Sequence, residues 1–158
     1  MHANVLSRLT ALVAAALATT TTLANFGGAD DASSSSADPN AVEGRKALEA
    51  KDYAGGVRLL EQAAAADPKN ADVQTWLGFA HRNLGHYDVA FKYYDQALRL
   101  SPGHRGAHEY VGEAYLQVGD LPRAEEHLAA LDRICLTGCQ ELNELKQKIV
   151  AYKASKKK

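Results

Sequence analysis

The sequence predicts an all-α fold made of three similar helix hairpins followed by one further helix. A period of 34 residues runs through the chain of 158 residues, with Gly44, Gly78 and Gly112 at one phase and Pro68 and Pro102 at another. Bulky apolar residues between these points recur at the spacing of packed helices and do not alternate as in strands. Agreement of several independent positions on one period indicates repeated hairpins that stack on one another.

The central repeat, residues 71–104, shows the pattern in full. Counted from Ala71 as position 1, its marker residues stand at positions 7, 8, 15, 17, 20, 24, 27 and 32, and these are Leu77, Gly78, Gly85, Tyr87, Ala90, Tyr94, Ala97 and Pro102. This layout resembles the tetratricopeptide repeat (TPR). The resemblance implies a right-handed superhelical stack in which small residues at positions 8 and 20 bring helices A and B of each hairpin together. Glycine at position 15 suits a helix C-cap, and proline at position 32 ends helix B.

The outer repeats, residues 37–70 and 105–138, follow the pattern less closely. Glu43 stands where leucine is usual, Gly56 replaces alanine at position 20, and the third repeat lacks the closing proline. Terminal repeats are often atypical, because their outer faces meet solvent. Residues 140–153 then carry a single apolar stripe and predict a capping helix over the last repeat. The alternative is a helix that docks on a partner.

The segments outside the repeats predict export. Residues 1–24 hold one arginine, the apolar run Leu9–Leu17 and small residues suited to cleavage, as in a signal peptide. An uncleaved inner-membrane anchor and an ordinary first helix are the alternatives. Residues 25–38 are rich in Gly, Ser and Asp and predict a disordered linker before a domain at 39–153. The expected location is therefore periplasmic or secreted.

Charge is concentrated at the C-terminus, where residues 146–158 hold six lysines and no acidic residue. The remainder of the chain after the signal is acidic, which argues against nucleic acid as a partner. The lysine-rich tail at 154–158 is the one segment expected to contact a membrane through anionic lipid. The alternative is a solvated helix end, where positive charge is favourable.

Two cysteines, Cys135 and Cys139, lie between the third repeat and the capping helix. In an exported protein such a pair predicts a disulfide. Redox activity is a weaker alternative, because the Cys-x-x-Cys spacing is absent. A metal site is not expected, since His127 is the nearest further ligand and His104 lies in the turn before the helix of His108. No phosphate-binding loop, nucleophile motif or metalloprotease motif is visible, so neither an enzyme nor a cofactor is expected.

The resemblance also implies a concave groove that binds a peptide or a partner's helix. Helix A residues at positions 2, 5, 9, 12 and 13 tend to line this groove, and here they are Arg45, Leu48, Glu49, Asp72, Thr75, Phe79, Arg82, Asn83, Glu109, Glu113, Leu116 and Gln117. Phe79 is expected to be exposed and, beside Arg82, to anchor the partner. The alternative is that Phe79 packs against the capping helix or a neighbouring side chain. The carboxylate clamp of chaperone-binding TPR domains is not expected, because only Arg45 fits it. The predicted function is a non-enzymatic scaffold in the cell envelope, with self-association or a redox accessory as alternatives.

Overall fold

The computed structural model describes residues 38–156, which form seven helices joined by short turns. The helices are α1 (Pro39–Glu49), α2 (Tyr53–Ala66), α3 (Ala71–Asn83), α4 (Tyr87–Leu100), α5 (Arg105–Val118), α6 (Leu121–Ile134) and α7 (Gln140–Ser155). Successive pairs α1–α2, α3–α4 and α5–α6 are hairpins, and α7 packs on α5 and α6. The all-α prediction of three hairpins and a capping helix is confirmed. The predicted signal peptide and residues 25–37 lie outside the described residues.

The helices begin and end where the sequence supplies caps. Asp52 and Asp120 occupy the same position of the first and third repeats, two periods of 34 residues apart. Each side chain accepts a backbone N–H in the first turn of its helix. Asp38 caps α1 in the same way, directly before Pro39, where the sequence predicts that the domain begins. At the other end, α7 continues two residues beyond the expected Lys153. No helix within residues 38–156 is long and apolar enough to cross a membrane.

The turn inside each hairpin uses a residue in the left-handed conformation. Gly85 and Gly119 have φ angles of 81° and 87°, which glycine adopts at little cost. The equivalent residue of the first hairpin is Lys51, with φ 62°. Position 15 is thus left-handed in all three hairpins, although only two of them have glycine there. It is the C-cap of α5, and it directly follows the C-caps Ala50 of α1 and Leu84 of α3.

Glycine at position 8 sits at a close helix contact in each hairpin. A Cβ atom on Gly44 would lie 2.7 Å from Leu60, and one on Gly78 would lie 2.6 Å from the ring of Tyr94. Both contacts join helix A to helix B of the same hairpin, as the sequence predicts. In the third hairpin a Cβ atom on Gly112 would lie 2.6 Å from Leu145 of α7, so the nearest neighbour of this glycine belongs to the capping helix. The capping helix therefore occupies the close-approach site of that repeat.

The core consists of three apolar clusters that follow the stacking. Leu48, Leu60 and Leu77 centre the cluster of the first hairpin and α3. Tyr94 belongs to a middle cluster shared with α5, and Leu145 belongs to the last cluster, which α7 completes. All of these side chains are buried. Apolar contact therefore runs through every boundary between hairpins, which a stack of repeats requires.

Candidate functional site

The predicted groove residues lie on the odd-numbered helices, which form one continuous row. Helix α1 contacts α3, α3 contacts α5, and α5 contacts α7. We call the surface of these four helices the A-helix face. The face extends along the whole domain, so it could accommodate an extended peptide or a helix laid across the repeats.

Only part of the predicted groove set is accessible. Four of the twelve side chains are exposed, namely Arg45, Glu49, Asn83 and Gln117. Three are partly exposed, namely Asp72, Phe79 and Glu113. The five that remain are buried, and these are Leu48, Thr75, Arg82, Glu109 and Leu116. The exposed members carry mostly polar groups, so direct contact with a partner would depend on hydrogen bonds and charge along the rim.

Phe79 does not stand free on the A-helix face as expected. Its ring lies 6.1 Å from that of Tyr53 and 5.0 Å from that of Tyr110, measured between centroids. The guanidinium of Arg82 lies 5.1 Å from the centre of the Phe79 ring. Such aromatic and cation–π contacts hold the ring in place. The sequence placed Phe79 by its repeat position alone and missed Tyr53 and Tyr110, because each comes from a different hairpin.

Arg82 is also held by charge. It forms an ion pair with Glu113 of the next repeat, and Lys148 of α7 contacts the same carboxylate. Burial alone would raise the pKa of Glu113, but the two neighbouring cations lower it overall. Glu113 is therefore the ionised centre that links the second repeat, the third repeat and the capping helix.

Glu109, one turn earlier on α5, behaves in the opposite way. Its side chain is 4 % exposed, and burial raises its pKa to about 9, aided by a hydrogen bond with Glu144 and by the negative charges nearby. Lys148 lies 3.6 Å from one carboxylate oxygen of Glu109, but it is closer to Glu113. We therefore assign the ionised carboxylate to Glu113 and the protonated one to Glu109. Sequence analysis missed this network, because the register of α7 against α5 cannot be read from the repeat pattern.

A second polar link joins the same two repeats at the other end of α3. His104 caps α5, where its Nδ1 atom accepts the N–H of Ala107 at 3.1 Å. Its Nε2 atom then carries the proton and donates to Asp72, 2.9 Å away. The hydroxyl of Thr75 donates to the carbonyl of Ala71 and is buried. Asp72 and Thr75 thus contribute to the joint between repeats as well as to the face.

His108 pairs with His127 and not with His104. The Nε2 atom of His108 donates to the carbonyl of Pro102 at 3.0 Å, and its Nδ1 atom lies 2.9 Å from Nδ1 of His127. The ring of His127 stacks on that of Tyr115. Burial and the neighbouring His108 lower the pKa of His127 to about 4. Both imidazoles are therefore neutral at physiological pH and act as packing groups inside the third hairpin.

The cysteine pair closes the turn between α6 and α7. The two Sγ atoms of Cys135 and Cys139 lie 2.11 Å apart, at the bonding distance of a disulfide. The predicted pair is therefore brought together, and it links the end of the last hairpin to the start of the capping helix. Its use in electron exchange stays a hypothesis.

A cleft of about 320 Å³ lies between α6 and α7, away from the predicted groove. Its apolar floor includes Leu128 and Leu142, and its rim includes the charged Glu125, Asp132 and Lys146. The apolar stripe of α7 was the only signal in the sequence that pointed to this region. Leu136 and Val150 nearby in the chain are 90 % and 62 % exposed.

Comparison with known proteins gives a consistent identification. The sequence pattern of the tetratricopeptide repeat matches residues 42–104 and 80–135, which together span more than half of the chain. Superkiller protein 3 of Saccharomyces cerevisiae is 27% identical over 105 residues, which cover 65% of this chain and 7% of that protein. The chain thus spans only a small part of the length of that curated relative.

Two solved structures show the same arrangement of helices. The first TPR of Spaghetti (RPAP3), bound to the HSP90 peptide SRMEEVD, superposes with a TM-score of 0.62 at 22% identity, over 72% of this chain and 89% of that one. MamA AMB-1 superposes with a TM-score of 0.56 at 30% identity, over 66% of this chain and 57% of that one. The first of these likenesses concerns the fold alone.

Proposed function

Because the chain belongs to the tetratricopeptide repeat family, whose members are non-enzymatic interaction scaffolds, we propose that it binds a peptide or a helix of another protein along the A-helix face. The observation that carries this proposal is the continuity of that face across four helices. Ion pairs and ring contacts fix the buried side chains beneath it, and Arg45, Asn83 and Gln117 remain exposed along it. A surface ordered before binding loses little entropy when the partner docks.

One feature of the sequence and one of the structure support an envelope role for this scaffold. The N-terminal segment has the character of a signal peptide, and a cysteine pair at disulfide distance is typical of oxidising compartments. The expected place of action is the periplasm or the cell exterior. A related structure holds a peptide of HSP90, but this chain has Trp76, Gly106 and Tyr110 where the clamp would need polar groups. We therefore propose a partner without a C-terminal acidic signature.

The test is affinity capture from the envelope fraction of the source cells, followed by measurement of binding to the partner identified. Three exposed residues of the A-helix face, one on each of α1, α3 and α5, are replaced together by alanine in one variant, and these are Arg45, Asn83 and Gln117. The matched control replaces exposed residues of α2, α4 and α6, namely Arg58, Arg99 and Glu126. Arg82 is left intact, because its loss would remove one of the two cations that pair with Glu113 and would disturb the joint between α3 and α5.

We expect the face variant to lose the partner by at least tenfold in affinity, and the control to retain it. Retention by the face variant together with loss by the control would move the site to the even-numbered helices. Self-assembly is the second candidate, favoured by the exposed apolar side chains of Leu136 and Val150 and by the cleft between α6 and α7. A mass that stays monomeric in light scattering as concentration rises would exclude it.

A further inference from the structure

The start of α4 departs from the rule that governs the other two hairpins. Asp52 and Asp120 accept backbone N–H groups at 2.9 Å and 3.2 Å and so cap their helices. The equivalent residue in the second hairpin is His86, whose side chain makes no capping hydrogen bond. Loss of a side-chain cap destabilises the start of a helix. Residues that break a local rule without a structural gain are good candidates for function.

The imidazole of His86 faces a second imidazole instead. Its Nδ1 atom lies 3.4 Å from the Nδ1 atom of His81. Zn²⁺ bound tetrahedrally holds nitrogen ligands at about 2.0–2.1 Å, so two such nitrogens stand roughly 3.3–3.4 Å apart. The separation of the two imidazoles therefore matches the spacing that one zinc ion needs. The other close histidine pair, at 2.9 Å, is shorter than that spacing and is engaged within the third hairpin.

The surroundings hold the pair in place and leave it accessible. The ring of His81 stacks on Tyr93 with an interplanar angle of 11°, which fixes its orientation. His86 is exposed, which gives an ion and its water ligands access from solvent. Imidazole is a preferred ligand of zinc.

We propose that His81 and His86 form a surface binding site for Zn²⁺, with water in the remaining positions. No cluster of three or more His, Cys, Asp or Glu side chains with metal-binding geometry occurs in residues 38–156, so protein supplies only two ligands. The Nε2 atom of His81 is buried and has no hydrogen-bond partner in this part of the chain, so the imidazole lacks the outer support of a structural site. The site is accordingly weaker than a structural zinc site. It lies at the turn between α3 and α4.

The test is calorimetric titration of the untagged full chain with zinc chloride. The variant His86→Asn removes the ligand and supplies a capping side chain, as Asn70 does for α3. The variant His81→Phe removes the other ligand and keeps a ring that can stack on Tyr93. The control His127→Phe alters the second histidine pair in the same way.

We expect one zinc ion per wild-type chain, at least tenfold weaker binding in both ligand variants, and binding within about twofold of wild type in the control. The melting temperature of metal-free His86→Asn should not fall, which separates loss of the site from loss of the fold. If no binding is detected at ~1 mM zinc, the dissociation constant is too high for a binding site, and the proposal is overturned. Equal binding by wild type and both ligand variants, or loss of binding in the control alone, would also overturn it.

Discussion

Lys51 offers a direct measurement of backbone strain in this array. It adopts φ 62° at the position where the other two hairpins have Gly85 and Gly119. A residue with a side chain pays about 1–2 kcal/mol in that conformation relative to glycine. Glycine in turn makes the unfolded chain more flexible, which costs about 0.4–1 kcal/mol. For the backbone alone, the difference predicts that glycine in place of Lys51 raises the free energy of unfolding by about 0.5–1 kcal/mol.

The charge of Lys51 needs a control of its own. Lysine near a helix C-terminus is stabilising by about 0.3–1 kcal/mol, and this contribution disappears in Lys51→Gly. Lys51→Ala removes the same charge but keeps the Cβ atom. Urea unfolding followed by circular dichroism should therefore find Lys51→Gly more stable than Lys51→Ala by about 0.5–1 kcal/mol. Equal stability of the two variants would show that the left-handed residue is not strained.

The remaining predictions concern packing and titration. Gly78→Leu should abolish cooperative thermal unfolding, because the new side chain meets the buried ring of Tyr94, whereas Gly103→Leu, in open space, should melt like wild type. Glu109→Gln should stabilise the fold by up to about 3 kcal/mol at pH 7 and not at pH 4. The reason is that the native carboxyl stays protonated up to pH about 9, so ionisation in the unfolded chain lowers wild-type stability as pH rises above 4.5. A pH-independent effect would contradict the assignment. As pH falls from 6.5 to 4, wild type should lose stability, because only the imidazole of the unfolded chain gains a proton in that range, and His127→Phe should lose less. Urea unfolding at several pH values measures this loss, and an equal dependence of stability on pH in both proteins would contradict the prediction.

The fold could be predicted almost completely from the sequence, because its determinants recur. Gly44 and Gly78 each mark a close helix contact, and Gly85 and Gly119 each mark a left-handed turn, and the 34-residue period repeats both features. The exception was Gly112, whose nearest neighbour is Leu145 of α7. The capping helix lies outside the repeat, so the period carries no information about how it packs.

The site was less predictable, since a position in a repeat fixes where a side chain starts but not what it meets. Phe79 and Arg82 were placed on the correct helix, yet their contacts come from Tyr110 and Glu113 one repeat away. The pairing of His81 with His86 depends on a turn geometry that no spacing rule describes. Accessibility along the face therefore depends on the packing between repeats and not on the repeat positions.

The joints between the hairpins differ in chemistry, and this difference gives each of them its own sensitivity. The first joint, between the first and second hairpins, consists of apolar contacts among side chains of α1, α2 and α3. The second adds the ion pair of Arg82 with Glu113 and the contact of His104 with Asp72. Cooling weakens apolar contact, whereas added salt has little effect on buried charges. Cooling should thus destabilise the first joint before the second. Strong acid, which neutralises Glu113, should break the ion pair of the second joint. Temperature and acidity therefore act on different joints of the array.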